Sequence, residues 1–180
     1  EEYIGAEGRA AAPKLAADLA NSIEGNITLE EVWEVLKKSK DSSSPGLSGI
    51  GYSFFKDFWP HFGNLLVNTF NEAFILGKLP DFMSKGIISL LPKGDKDRTF
   101  LKNWRPITLL ECAYKLMSGC LASRLNKVIN CLVDPVQKGF VPDRNISENT
   151  RTFYDILDYA KRHGKGGPAI GLDYEKAFDT

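Results

Sequence analysis

Two short runs decide the reading of this chain: Gly86-Ile87-Ile88-Ser89-Leu90-Leu91 and Arg105-Pro106-Ile107-Thr108-Leu109-Leu110, separated by the charged segment Pro92 to Asn103. Each is apolar and far shorter than a helix, so each reads as a strand, the first of them buried. The charged segment between them is a loop, and the pair can close as a hairpin. Lys93 stands at one end of that loop and Arg105 just past the other.

Helical patterns flank the two strands. On the N-terminal side, Thr28-x-x-Glu31 is a capping-box pattern, followed by Val32, Val35 and Leu36 on one stripe. Lys37, Lys38 and Lys40 suit the negative end of that helix dipole. Ser42 to Gly49 is a shaped turn rich in Ser, Gly and Pro. Helices are expected from Ser53 to Phe58 and from Pro60 to Leu76, the latter started by Pro60 and stopped by Gly77. On the C-terminal side, a long helix from Glu111 to Val133 would carry Tyr114, Met117, Leu121, Leu125, Val128 and Leu132 on its core face. Asp134-Pro135 breaks it. A loop holding Gln137, Gly139, Phe140 and Arg144 leads to a helix capped by Ser147 and running to His163, with Phe153, Ile156, Leu157 and Ala160 inward. Ala169 to Tyr174 reads as a buried strand carrying Asp173. Residues 1–27, Ala- and Gly-rich, are a weakly structured lead-in with room for a frayed helix around Lys14 to Asn21.

The 180 residues carry 23 Lys and Arg and 23 Asp and Glu, with 43% hydrophobic and 26% charged residues. The chain is globular, and a polybasic nucleic-acid binder is excluded on total charge. Charge is nevertheless uneven. From Lys85 to Arg144 there are eleven basic and five acidic residues, a local +6 against −6 elsewhere. Such a basic middle suits a surface that meets phosphate, as well as ordinary solvated charge. No apolar run approaches the roughly 20 residues that cross a bilayer, so no membrane partner is expected. Cys112, Cys120 and Cys131 have neither a metal-ligand spacing nor an even count, and read as reduced core cysteines of an intracellular protein. The chain opens on Glu1 and closes on Ala177-Phe178-Asp179-Thr180 without start or stop signals, and reads as a piece of a longer one.

Asp173 is the residue whose chemistry asks most. Ile170, Gly171 and Leu172 precede it, and a carboxylate at the end of an apolar strand needs a partner, a hydrogen bond or a metal. Mg²⁺ prefers such oxygens. Taken alone, Asp173 fits a satisfied cap or an exposed strand end better than a metal ligand.

Five blocks in order carry more than any one of them: Ser44-Pro45-Gly46 with Gly49; Ile88 to Lys93; Asn103 to Leu110; Gln137-Lys138-Gly139-Phe140 with Arg144; and Leu172-Asp173-Tyr174-Glu175-Lys176-Ala177-Phe178-Asp179. Their order and spacing resemble the N-terminal half of the reverse transcriptase domain of non-LTR (LINE-type) retrotransposons, from about Leu29 to the end. The resemblance implies an α+β fold: the fingers and the start of the palm of a right-hand polymerase, incomplete, with residues 28–168 as fingers and 169–180 as the first palm strand. It implies RNA-directed DNA polymerase activity by two-metal nucleotidyl transfer, with Mg²⁺ (or Mn²⁺) as cofactor. Asp173 would be the first catalytic aspartate and metal ligand, and the Tyr174 backbone carbonyl a further ligand. Lys93 and Arg105 would grip the nucleotide triphosphate, a role for long cations on a hairpin able to close. Phe178 would lie under the incoming sugar and select deoxynucleotides. Gln137, Phe140 and Arg144 would shape the pocket and touch the template, and the loop at Pro45 and Gly46 would lie near the template strand. Implied partners are an RNA template, a DNA primer or target, a dNTP and the remainder of the polymerase chain. The implied location is intracellular, in the nucleus.

Two departures from the family pattern stand out. Ser48 occupies a position where Asp is usual, and Asp143 one where Gly is usual. No adjacent Asp-Asp pair, the second metal motif of such enzymes, occurs in these residues, so the chain by itself is expected to be inactive. The same residues admit structural roles: Arg105 in an ion pair with Asp95 or Asp97, Lys93 as a solvated lysine, Phe178 as core, Phe140 as a plug beneath its loop. A fingers module that binds nucleic acid without catalysis, a group II intron-type reverse transcriptase and a plain helical scaffold are the alternative readings.

Overall fold

The structure, a computed structural model, describes residues 13–173. It divides into two units, one ending at Leu132 and the other starting at Val133. In the first, α1 (Ala17–Ile23), α2 (Leu29–Lys38), α3 (Tyr52–Asp57) and α4 (Trp59–Leu76) precede the strands β1 (Gly86–Pro92) and β2 (Trp104–Leu110). Then come α5 (Cys112–Asn126) and the single turn α6 (Ile129–Leu132). The second unit contains α7 (Ile146–Arg162).

Helix α2 begins as its sequence dictates. The Glu31 amide donates to Thr28 Oγ1 (3.2 Å) and the Thr28 amide to Glu31 Oε2 (2.9 Å), the full capping box. Helix α4 has Pro60 in its first turn and ends at Gly77, whose φ of 62° lies in the left-handed region that glycine enters without strain. Val32, Leu36, Phe70, Met83, Leu116 and Cys112 are nearly or wholly excluded from water and form the core between α2, α4 and α5. Asn71 ties the entry of α2 to α4: its side chain accepts from the Ile27 amide (2.8 Å) and donates to the Ile27 carbonyl (2.9 Å). No described helix is long and apolar enough to cross a membrane.

β1 and β2 pair antiparallel from Gly86↔Leu110 to Pro92↔Trp104. The hairpin forms, but β1 is not the buried strand its sequence suggests: most of its residues are exposed. The sheet has no third strand among the described residues, and both of its faces are largely exposed.

Three other expectations need correction. The long helix from Glu111 to Val133 is broken after Asn126; Met117 and Val128 are buried as expected and Tyr114 packs against the core, but Leu121 and Leu125 are exposed, and Cys112, Ala113, Leu116, Cys120 and Arg124 are also buried. Arg124 lies on the inner face, where the periodicity would place Leu121 or Leu125. The last helix is capped by Asn145, which accepts from the Ser147 amide (3.0 Å), rather than by Ser147. It buries no residue, so Phe153, Ile156 and Leu157 are not inward. Residues 169–173 are exposed and form no strand, since no described strand is there to pair with them.

The cysteines are free. Cys112 and Cys120 are in the core as expected, but Cys131 is exposed. Burial pushes the Cys112 thiol up and that of Cys120 up to about 11. At mildly alkaline pH an alkylating reagent is therefore expected to label Cys131 alone in the folded chain, and all three cysteines after denaturation, read by intact mass.

Candidate functional site

The hairpin fixes the first pair of candidate residues. Leu91 is the partner of Arg105, and one residue past β1 the Lys93 amide donates to the Asn103 carbonyl (2.7 Å). Both cations therefore stand at the loop end of a paired ladder. The loop is knitted internally. The Asn103 side chain donates to the Asp97 carbonyl (2.7 Å), and the Trp104 indole to the Arg98 carbonyl (2.9 Å). The Asp97 carboxylate accepts from the Thr99 amide (2.9 Å) and hydroxyl (2.8 Å), which hold its carboxyl below the usual range. Asp97 is thus engaged within its own turn, and the exposed Arg105 forms no ion pair with a described residue. The Lys93 ammonium donates to the Lys102 carbonyl (2.8 Å), which leaves two of its three protons for another acceptor. Two cations on a rigid, solvent-facing hairpin end can bind phosphate oxygens, the guanidinium in bidentate fashion.

The loop at Pro45 and Gly46 is fastened to the start of α5. Gly46 is buried, and a Cβ there would lie 2.6 Å from the Glu111 amide nitrogen, so only glycine fits. Glu111, itself buried, accepts from the Ser48 amide (2.8 Å) and hydroxyl (2.6 Å). One turn on, the Lys115 ammonium donates to the Ser44 carbonyl (3.0 Å). The Ser48 departure thereby acquires a physical reason, because an aspartate at position 48 would set one carboxylate against another. Glu111 and Lys115 are not legible from sequence as part of this loop. Their only signal there is an acid at the junction of a strand and a helix, with a base four residues on.

In the second unit, Arg144 organises the loop that carries Gln137 and Phe140. Its guanidinium donates to the carbonyls of Val133 (2.9 Å), Asp134 (2.5 Å) and Gln137 (2.8 Å). Lys138 pairs with Glu148 of α7, and the Asn149 side chain donates to the Val136 carbonyl (3.0 Å). Within this frame Phe140 adopts φ 62° with its side chain fully in solvent, at 109% relative exposure. It is not a plug. Asp143 also has φ 62°, a conformation that glycine enters without strain, in keeping with the glycine that the resemblance leads one to expect there.

Asp173 is exposed on the extended segment after α7. Tyr174 and Phe178, with Glu175 and Asp179, lie outside the described residues. Among the described residues no three His, Cys, Asp or Glu side chains gather as a metal site. Asp173 can give a cation one carboxylate there, which does not make up a two-ion centre.

The sequence matches the family of the reverse transcriptase (RNA-dependent DNA polymerase) over residues 91–180, and the chain belongs to that family. It is 38% identical over 157 residues to the transposon TX1 uncharacterized 149 kDa protein of Xenopus laevis, covering 87% of this chain and 12% of that protein. It is 27% identical to the retrovirus-related Pol polyprotein from type-2 retrotransposable element R2DM of Drosophila melanogaster, over 88% of this chain and 15% of the relative. It is 32% identical to the corresponding polyprotein of type-1 retrotransposable element R2 of Popillia japonica, over 86% and 20%. The chain is thus a stretch of reverse transcriptase of the non-LTR retrotransposon type, spanning 12–20% of the length of these relatives.

Proposed function

We propose that this chain is the fingers region, with the first palm segment, of a polymerase that copies RNA into DNA on a DNA primer in the nucleus. The observation that carries this reading is the hairpin: within the sequence matched to the family, it holds Lys93 and Arg105 at one solvent-facing end. In this reading both cations neutralise the triphosphate of an incoming dNTP, the loop at Pro45 and Gly46 lies along the template, and Gln137 and Phe140 bear on the template base. Arg144 contributes by holding that loop in shape. Asp173, the Tyr174 carbonyl and Phe178 belong to the catalytic end of the same proposal. Mg²⁺, or Mn²⁺ in its place, would supply charge neutralisation at the reacting phosphate. The described residues offer it a single carboxylate, so the chain by itself is proposed not to extend a primer, its remaining ligands coming from the rest of the polymerase.

The test is equilibrium binding of the chain to a DNA-primed RNA template, by fluorescence anisotropy over a salt series. Affinity for the primed template is expected to fall steeply with salt, and in a parallel series with a labelled dNTP each of Lys93→Ala and Arg105→Ala is expected to weaken binding and reduce its salt dependence. A plain helical scaffold would show no binding and no response to either substitution. Primer extension by the chain alone, abolished by Asp173→Ala, would overturn the proposed inactivity.

A further inference from the structure

We infer that Glu111 is a positioning residue for the loop of residues 44–49, and that it does this work as one half of a pair with Ser48 that tolerates a single negative charge between its two members. This goes beyond the template reading of the loop and borrows its functional meaning from it.

Glu111 is in a place where a carboxylate is costly. Its residue is 4% exposed, directly between β2 and α5. It does not cap α5 with its side chain. Both carboxylate oxygens turn away from the helix instead. Oε1 accepts from the Ser48 amide and Oε2 from the Ser48 hydroxyl. That is a two-pronged grip on one residue 63 positions earlier in the chain, and it gives a buried acid the donors it requires. The same hydroxyl then accepts from the Ile50 amide (3.2 Å), which carries the grip into the next turn. Gly46 makes the approach possible, because any side chain there would strike the Glu111 backbone and carboxylate carbon within 2.8 Å. Lys115 holds the other end of the loop through the Ser44 carbonyl. The loop, rich in Ser, Gly and Pro, has little apolar surface of its own to fix it, so these polar contacts set its shape.

The position also links two of the candidate regions within this unit. Glu111 follows Leu110 immediately, and Leu110 pairs with Gly86 in the strand whose other end bears Arg105. One residue therefore joins the strand of the hairpin to the loop near the template.

The charge argument sets the test. Ser48→Asp places a second carboxylate where the hydroxyl lies 2.6 Å from the first, and Glu111→Gln alone replaces an ionic acceptor by a neutral one. Together they restore complementarity with the charge moved across: the new carboxylate at position 48 accepts from the new side-chain amide at position 111, whose oxygen still accepts from the residue 48 amide. Both single variants and the double variant are compared with the unaltered chain by residue-resolved amide hydrogen exchange, with the Phe70 and Leu116 amides as monitors of the whole fold. Protection of the residue 48 amide is expected to fall about tenfold or more in Ser48→Asp, and to return to within about threefold in the double variant. If Ser48→Asp loosens the whole fold, the cycle is read from Ser48→Ala and Glu111→Gln, whose effects are then expected to be strongly non-additive. A double variant no better protected than Ser48→Asp, or additive effects in the second cycle, would overturn the proposal. Binding of the primed RNA template separates the two readings. Absence of binding by the unaltered chain removes the template role and leaves the pair as found by exchange. Binding that persists where exchange shows no coupling removes the pair and leaves the template role.

Discussion

Arg124→Ala is expected to destabilise the chain by about 3 kcal/mol, at the lower end of what removing one partner of a buried pair costs. The guanidinium is almost wholly enclosed, and every direction of its fork is used. Nε donates to Glu31 Oε1 (2.6 Å) and Nη2 to Glu31 Oε2 (2.7 Å), while Nη1 donates to the Gly25 carbonyl (2.7 Å) and Nη2 also to that of Asn26 (2.7 Å). It thereby satisfies the backbone of the segment between α1 and α2. It also holds the same Glu31 that completes the capping box of α2. Alanine removes the cation, leaves a half-screened carboxylate and takes this donor from three carbonyls, those of Gly25, Asn26 and, at 3.4 Å, Ile23, at the point where α2, α5 and the chain entry meet. The cost is placed low because the Glu31 side chain keeps 28% of its exposure and water can enter. Urea unfolding at neutral pH measures it.

The same pair sets an acid response. The Arg124 hydrogen bond is the largest influence on Glu31 and holds its carboxyl below the ordinary value of 4.5, despite an opposing cost of burial. A carboxyl depressed in the folded state stabilises fully above its unfolded value and loses that contribution as pH falls through the folded one. The chain should therefore lose stability below about pH 4.5, and Arg124→Ala should flatten that dependence because the largest cause of the depression is removed. An unchanged acid limb in the variant would assign the acid sensitivity to other carboxylates.

Arg124 also shows where sequence reading reaches its limit. The capping box of α2, the Pro60 start and Gly77 stop of α4, and the two strands of the hairpin are local patterns, fixed by backbone donors and by periods of two or 3.6 residues. They are legible, and the structure forms them. The face of α5 is not, because a charged residue is assigned to solvent unless its partner is known, and Glu31 lies 93 positions away. The burial of β1 is misread for a related reason, since an apolar run does not say whether anything covers it. In the candidate regions, the cations at the hairpin end can be placed from spacing alone. The grip of Glu111 on Ser48 cannot, because nothing local marks a tertiary contact between a loop and a helix start. Asp173 is legible as an acid needing a partner, but a strand requires a neighbour, and none is described beside it.

Phe140→Gly is expected to move stability and binding in opposite directions. A phenylalanine at φ 62° carries the left-handed penalty of about 1–2 kcal/mol, because its Cβ crowds the following carbonyl. Ordinarily such a residue recovers that cost by packing, yet this ring is fully in solvent and packs on nothing. Glycine relieves the strain and loses about 0.5–1 kcal/mol to its greater freedom when unfolded. The variant should therefore be as stable as the starting chain or up to about 1.5 kcal/mol more stable. Backbone strain held at a braced, exposed position motivates a test for function, and the bracing is visible in the three carbonyls held by Arg144. If the ring serves as a stacking platform for a template base, its removal costs about 1–3 kcal/mol of binding, or roughly tenfold to a hundredfold in affinity for the primed RNA. Phe140→Trp should retain most of that affinity, since the stacking face survives. Paired measurements, thermal unfolding and anisotropy on the same preparations, decide the matter. Higher stability with unchanged affinity would leave the aromatic without a role in the template contact, and lower stability would mean that the ring packs against the chain in solution.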